Sequence, residues 1–298
     1  MYFKNAFIAT GALVLLSITL ICSTQAQVSD ALPRNPAAAT ETAAKEKVDV
    51  RQLQSDEFLV DTAYLQDQDE FLHKFRIQRT NGRRWSADFT EEVTVGSEKN
   101  QVVFSIPAHL GGNADEQSKG FGDAQIEYSY GLYGDSKSRV TISPGIRLSL
   151  PLGNFRAGLR TGGSGGSFKI PVGVMLGRRF GSNSIYEMTF THSARNTDGD
   201  RANTLNTEVG QSFVWFAKPR FNFFVEALWE RSQEVTGRGS TANVRSLMIS
   251  PAIRWVHECK NGLTISPGVA VPIGAGPSRG ERNIFFYISF GHPLRKEG

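Results

Sequence analysis

The sequence predicts an all-β fold: a closed antiparallel transmembrane β-barrel of about 12 strands, preceded by a signal peptide and a flexible N-terminal segment. Three observations carry that prediction. Apolar residues recur with period two from Glu70 onward. The connections between the resulting strands alternate between compact and long. All four tryptophans fall on the apolar face of their strands, near an end.

Lys4 and the apolar run Phe7 to Ile21 have the charge and length of a signal peptide, and the small residues Thr24 and Ala26 place cleavage after Ala26. An uncleaved anchor is the rival reading, because the run falls only slightly short of the ~18 apolar residues of a spanning helix. A lipid anchor on Cys22 is disfavoured by the bulky Ile21 before it. Removing residues 1–26 leaves Cys259 as the one cysteine, so neither an intrachain disulfide nor a cysteine-built zinc site is available. Residues 27–69 read as a periplasmic linker: "NPAAATETAAKEK" is rich in Ala, Thr and charge and offers little to pack. A plug inside the barrel is the alternative for this segment, and the tether is favoured. Residues 70–290 form the barrel, and 291–298 a C-terminal tail.

Within the barrel, twelve segments alternate: 70–80, 83–95, 101–110, 123–132, 139–150, 168–179, 184–193, 203–216, 221–231, 244–257, 263–271 and 282–290. Most match the ~9–11 residues of a tilted membrane-crossing strand. In "GFGDAQIEYSYGLY", Ala124, Ile126, Tyr128, Tyr130 and Leu132 alternate with polar or small residues. Such alternation suits hydrocarbon on one face and water on the other, and it keeps average hydropathy modest. The links after strands 2, 4, 6, 8 and 10 are compact ("GSEKN", "YGDSKS", "FGSN", "AKPR", "ECKNG"), whereas those on the other side include "GNFRAGLRTGGSGGS" and "SQEVTGRGSTAN". Short periplasmic turns and long extracellular loops have this asymmetry. Trp85 and Trp229 are expected at the outer rim. Trp215 and Trp255, with Tyr130 and Phe290, are expected at the inner rim, as aromatic girdles. Four strand prolines, Pro107, Pro144, Pro251 and Pro267, each lack a ladder donor and call for bulges. "TISPG" occurs twice, which suggests a shared kink. Glu91 falls on the lipid face unless a bulge near Thr90 turns it inward.

A net charge of +4 spread along the chain, without a basic tract, argues against nucleic-acid binding. No second long apolar run exists, which excludes a helical membrane protein. The chemistry motifs are weak. His192 and Ser193 in "FTHSARN" invite an outer-rim lipid hydrolase, yet adjacent strand residues point to opposite faces and cannot readily share a proton. "TGGSGGS" lacks the Lys of a phosphate loop, and "NTDGDRAN" has too few acids for a calcium loop. No cofactor or metal site is expected. By parity the inward set is Arg84, Asp88, Glu92, Asp123, Glu127, Arg147, Lys169, Glu187, Glu208, Glu226, Glu230 and Arg254. These residues either line an aqueous path or pair across the lumen and seal it; the intermediate width of a 12-strand barrel favours a path.

"GFGDAQIEYSYGLYG", through Gly120, Gly122 and Asp123, and "TISPGIRLSLPLG" resemble strand motifs of the MetA-pathway of phenol degradation family. The resemblance spans about residues 70–290 and departs from the family at "PLG", 151–153. It implies a barrel of the bacterial outer membrane, in contact with its lipid, that moves small hydrophobic or aromatic compounds inward without enzymatic activity. It supplies no catalytic residue. A structural or adhesive barrel acting through its loops is a further alternative, and no oligomeric state is implied.

Overall fold

The computed structural model describes residues 58–66, 70–80, 84–111, 119–135, 138–153, 164–196, 198–218, 220–259 and 262–293. The expected signal peptide, the linker up to residue 57 and residues 81–83 between the first two strands lie outside the described residues, as does much of the 153–167 loop. The chain divides into a unit of 48–258 with 263–298, which holds the barrel, and a unit of 1–47 with 259–262. In the second unit the Gly262 N–H donates to the Cys259 carbonyl at 3.1 Å.

Sixteen strand segments form one antiparallel sheet. They are β1 Glu70–Arg79, β2 Trp85–Val95, β3 Ser97–Gly111, β4 Lys119–Phe121, β5 Ala124–Tyr130, β6 Val140–Ile142, β7 Gly145–Leu150 and β8 Ser164–Met175. They continue as β9 Phe180–Arg195, β10 Arg201–Lys218, β11 Phe221–Gly237, β12 Ser240–Trp255, β13 His257–Glu258, β14 Thr264–Ala270, β15 Ile273–Gly274 and β16 Ile284–Pro293. Four pairs (β4/β5, β6/β7, β12/β13, β14/β15) are interrupted halves of single staves, so the sixteen segments make twelve. β1 pairs with β16 from Glu70↔Pro293 to Arg79↔Ile284, and the sheet closes without an edge. Closure satisfies the backbone groups that hydrocarbon cannot.

All four interruptions lie at or opposite a proline, which resolves the proline problem. Pro107 on β3 faces the β4/β5 break, where the register slips by one residue and Gly122 N–H donates to the Pro107 carbonyl at 2.7 Å. Pro144 lies in the β6/β7 break, where its neighbour Ser143 stands opposite Pro171 of β8. Pro251 of β12 faces the β14/β15 break, and Pro267 of β14 faces the β12/β13 break. Each missing N–H thus costs one local pairing rather than the stave. The two "TISPG" copies do not share a kink: the first splits β6 from β7, and the second runs unbroken through β14.

The barrel is turned inside out relative to a water-soluble protein. Phe168, Val209, Phe213, Val225, Ile249 and Trp255 are exposed on its outer face, while Glu92, Glu127, Lys169, Glu187, Glu226 and Arg254 are buried. One charge on a lipid face costs about 2–4 kcal/mol at mid-depth, which explains the strictness of the alternation. Three expectations need correction. The stretch 232–243, expected as a long loop, extends β11 and β12 to a two-residue turn at Arg238 and Gly239. β10, β11 and β12 reach 18, 17 and 16 residues, longer than a crossing requires. Trp229 therefore sits mid-strand rather than near an end. No bulge occurs near Thr90: β1 and β2 pair without a shift, and Glu91 stays on the outer face opposite His73. β16 also takes in the first three residues of the expected tail.

Candidate functional site in the barrel lumen

Residues 58–66 correct the tether expectation. Phe58, Val60, Ala63, Tyr64 and Gln66 are buried among inward-facing side chains, with Ala63 fully so. The stretch "FLVDTAYLQ" forms a strap across the lumen, and both ends of the interaction are specific. Phe58 meets Phe224 of β11 and Phe285 and Tyr287 of β16 at ring separations of 5.3, 6.0 and 5.8 Å. The Leu59 N–H donates to Glu226 Oε2 at 2.9 Å, with the Phe58 and Val60 amides turned to the same carboxylate. Ser143 donates to the Ala63 carbonyl at 2.7 Å, and the Gln66 N–H donates to Gln101 Oε1 at 2.8 Å.

Three wall glycines make room for the strap. A Cβ on Gly268 would lie 2.6 Å from Phe58, one on Gly173 2.7 Å from Tyr64, and one on Gly210 3.0 Å from Val60. Approaches that close are open only to a residue without a side chain. The physical pattern is a socket: a wall lacking side chains where the strap supplies them.

Beside the strap lies a polar cavity of about 310 Å³. Its lining from β1, β2 and β3 includes Lys74, Arg76, Asp88, Glu92 and Gln101. The other staves add Glu127, Arg147, Lys169, Glu187 and Glu208, and the strap adds Asp61 and Tyr64. The cations are bound to acids. Lys74 pairs with Glu92 at 2.7 Å and Arg76 with Asp88 at 2.7 Å. Arg147 contacts Glu127 at 2.8 Å, Glu187 at 3.2 Å and Asp61 at 3.7 Å. Lys169 contacts Glu127 at 2.5 Å and bonds Asp61 directly. Asp61 thereby ties the strap to two wall cations. Glu187, Glu208 and Glu230 stand side by side on β9, β10 and β11. Like charges directly opposite are destabilising. Among the described residues neither Glu208 nor Glu230 belongs to an ion pair.

The remaining inward candidates have other positions. Arg84 precedes β2 and is exposed at the rim. Asp123 sits in the β4/β5 break and accepts the Gly153 N–H at 2.9 Å, which makes it a turn anchor. Glu226 seats the strap. Arg254 is buried with its guanidinium 5.2 Å from the Phe224 ring centre. Of the aromatic set, Trp215 stacks on Phe223 at 5.4 Å and Phe290 lies 6.3 Å from Phe75. Tyr130, Trp215 and Trp255 are exposed on the outer face, while Trp85 and Trp229 are half-buried there. Sequence reading missed Asp61, Lys74, Arg76 and Gln101. The available signal was the cluster of bulky residues Phe58, Leu59, Val60, Tyr64 and Leu65 inside an otherwise Ala-, Thr- and charge-rich segment.

Ser193, next to His192, is engaged by β10. β9 bulges here, with Ser193 at φ 57° and the register shifting between Ala202 and Thr204. Arg201 donates to Ser193 Oγ at 3.2 Å, and the Ser193 N–H donates to Asn203 Oδ1 at 3.0 Å. No hydrogen bond joins His192 to Ser193 among the described residues.

No protein-family model and no curated protein matches the chain, so the family resemblance rests on the residues that carry it. Solved structures do match. An outer membrane channel from Pseudomonas putida F1 aligns with TM-score 0.60 at 10% identity, over 79% of this chain and 99% of that one. The NanC porin aligns with TM-score 0.51 at 10% identity, over 73% of this chain and 98% of that one. The architecture is therefore that of a bacterial outer-membrane barrel, apolar toward lipid and polar toward its lumen.

Proposed function

We propose that this chain is a passive outer-membrane channel for small water-soluble solutes, passing beside the strap and favouring cations over anions. The carrying observation is the charge balance of the lumen. Every cavity cation is held by an acid, and the lining sets six acids (Asp61, Asp88, Glu92, Glu127, Glu187 and Glu208) against four cations (Lys74, Arg76, Arg147 and Lys169). A row of acids set against itself costs stability and attracts cations. The fold shared with an outer membrane channel supports passage. The hydrophobic or aromatic cargo implied by the family resemblance fits this lumen less well, because a charged, hydrated wall binds apolar solutes poorly. The hydrolase reading has no nucleophile–base contact behind it.

The test is reversal potential in planar bilayers across a KCl gradient. The expected result is cation preference, reduced toward neutrality in Glu208→Gln/Glu230→Gln. Anion preference, or absence of conductance in folded protein, overturns the proposal.

A further inference from the structure

The outer wall of the barrel is not evenly convex. Between β8 and β11, close to the rim that carries the compact turns, it holds a groove of about 500 Å³. Leu176 just past β8, Phe180 of β9, Phe213 and Trp215 of β10, and Phe223 and Val225 of β11 line it, all of them exposed. The register shows how the groove arises. β9 sets Ser182 opposite Phe213 and Gly181 opposite Val214, so the large rings of β10 stand beside short residues. These side chains belong to the face that meets hydrocarbon, so an acyl chain rather than water fills the space between them.

The rim just beyond the groove is basic. The turn that ends in Leu176 and Phe180 carries Arg178 and Arg179 between them, and the next turn carries Lys218 and Arg220. The first turn is well held: the Leu176 N–H donates to the Phe180 carbonyl and the Phe216 N–H to the Arg179 carbonyl, each at 2.9 Å. Arg139 lies beside it and donates to the Met175 carbonyl at 3.3 Å. Glu258, at the neighbouring strand end, is taken by Arg220 at 3.6 Å. Among the described residues Arg178, Arg179 and Lys218 belong to no ion pair, and all three are exposed. On another sector of the same rim, where β2 passes into β3, Glu98 and Lys99 balance one another.

An apolar slot in the membrane wall that runs out at unpaired cations matches a molecule with an acyl tail and an anionic head. Each Lys or Arg at a membrane surface favours acidic lipid by about fivefold. An Arg guanidinium bonds two phosphate oxygens at once, which a choline or ethanolamine head would partly offset with its own cation. Trp215, between the greasy slot and the charged rim, stands at the depth where indole rings prefer to lie.

We infer that the β8–β11 groove and its basic rim form a site for one anionic phospholipid of the phosphatidylglycerol class. One acyl chain lies along the groove, Arg178 and Arg179 hold the phosphate, and Lys218 adds charge beside it. The compact turns belong to the periplasmic side of such barrels, so the lipid comes from the leaflet facing the periplasm.

The experiment uses the full chain, folded and stripped of lipid in detergent, and reads bound lipid by native mass spectrometry. Dioleoyl phosphatidylglycerol is expected to give a one-to-one adduct at about tenfold lower concentration than dioleoyl phosphatidylethanolamine, given two or more cations at about fivefold each. Arg178→Gln/Arg179→Gln weakens the adduct by about 25-fold, two such factors. Val225→Trp, which fills the groove from β11, weakens it with every cation in place. Lys99→Gln leaves it unchanged, and excess glycerol 1-phosphate does not displace the lipid. Heat-modifiable gel mobility confirms that each variant is folded. Equal retention of the two lipids overturns the inference, as does retention unchanged in either folded groove or arginine variant. Loss of the adduct in Lys99→Gln would mark a diffuse surface charge, and displacement by glycerol 1-phosphate a plain phosphate site; each overturns it too.

Discussion

The two sides of the lumen obey the same parity and reach opposite ends. On one, Met175, Val214, Phe224, Ala252, Ala270, Phe285 and Tyr287 point inward and pack with Phe58 into a dry core. On the other, Lys74, Arg76, Glu92, Glu127, Arg147, Lys169 and Glu208 point inward around an open cavity. Apolar inward residues lower their free energy only by finding apolar partners, and here the strap brings them. Charged inward residues need water or ion partners, so their side stays open. Whether a barrel is plugged or wet is thus decided locally, side by side in one molecule. The strap matches both: Phe58 and Val60 serve the dry side, Asp61 and Gln66 the wet one.

That contrast can be broken most directly by deleting 58–66. The dry side then faces water, and single-channel conductance is expected to rise several-fold; unchanged conductance would mean that the strap does not obstruct the path. A smaller disturbance comes from Gly268→Leu, whose added side chain takes the place of the Phe58 ring. Losing the burial of one Phe costs about 3–5 kcal/mol. The barrel ladder is independent of the strap, so release rather than unfolding is expected, read as protease access to 58–66 with retained gel mobility. The smallest effect belongs to Asp61→Asn. Lys169 and Arg147 keep Glu127, so the barrel stays folded. One of the charged strap contacts is lost, and strap protection in hydrogen exchange is expected to fall by about tenfold, corresponding to a charged hydrogen bond worth ~1.5 kcal/mol.

The glycine socket shows why the strap was hard to read in the sequence. Gly173, Gly210 and Gly268 look like ordinary strand glycines until their neighbours in space are known. Phe58 and Val60 sit in a segment whose surrounding composition is that of a linker, and composition reports an average rather than a nine-residue exception. Glu91 illustrates the same limit: parity placed it on the lipid face, but its partner His73 lies 18 residues away in the chain, and the other nitrogen of that ring meets His292, 219 residues further on. The His192/Ser193 geometry was legible in part, since adjacency argued against a shared proton, but the bulge and the Arg201 contact were not.

The sequence by itself determined the staves, their alternation and the inward position of most charged residues. Those depend on spacing two residues apart, a local property that each strand carries alone. Only the tertiary structure decided the strap, its glycine seats, the pairing of prolines with stave breaks and the histidine pair on the seam. These depend on which distant residues face each other once the sheet curls and closes, and that is set by register around the whole barrel rather than by any one segment.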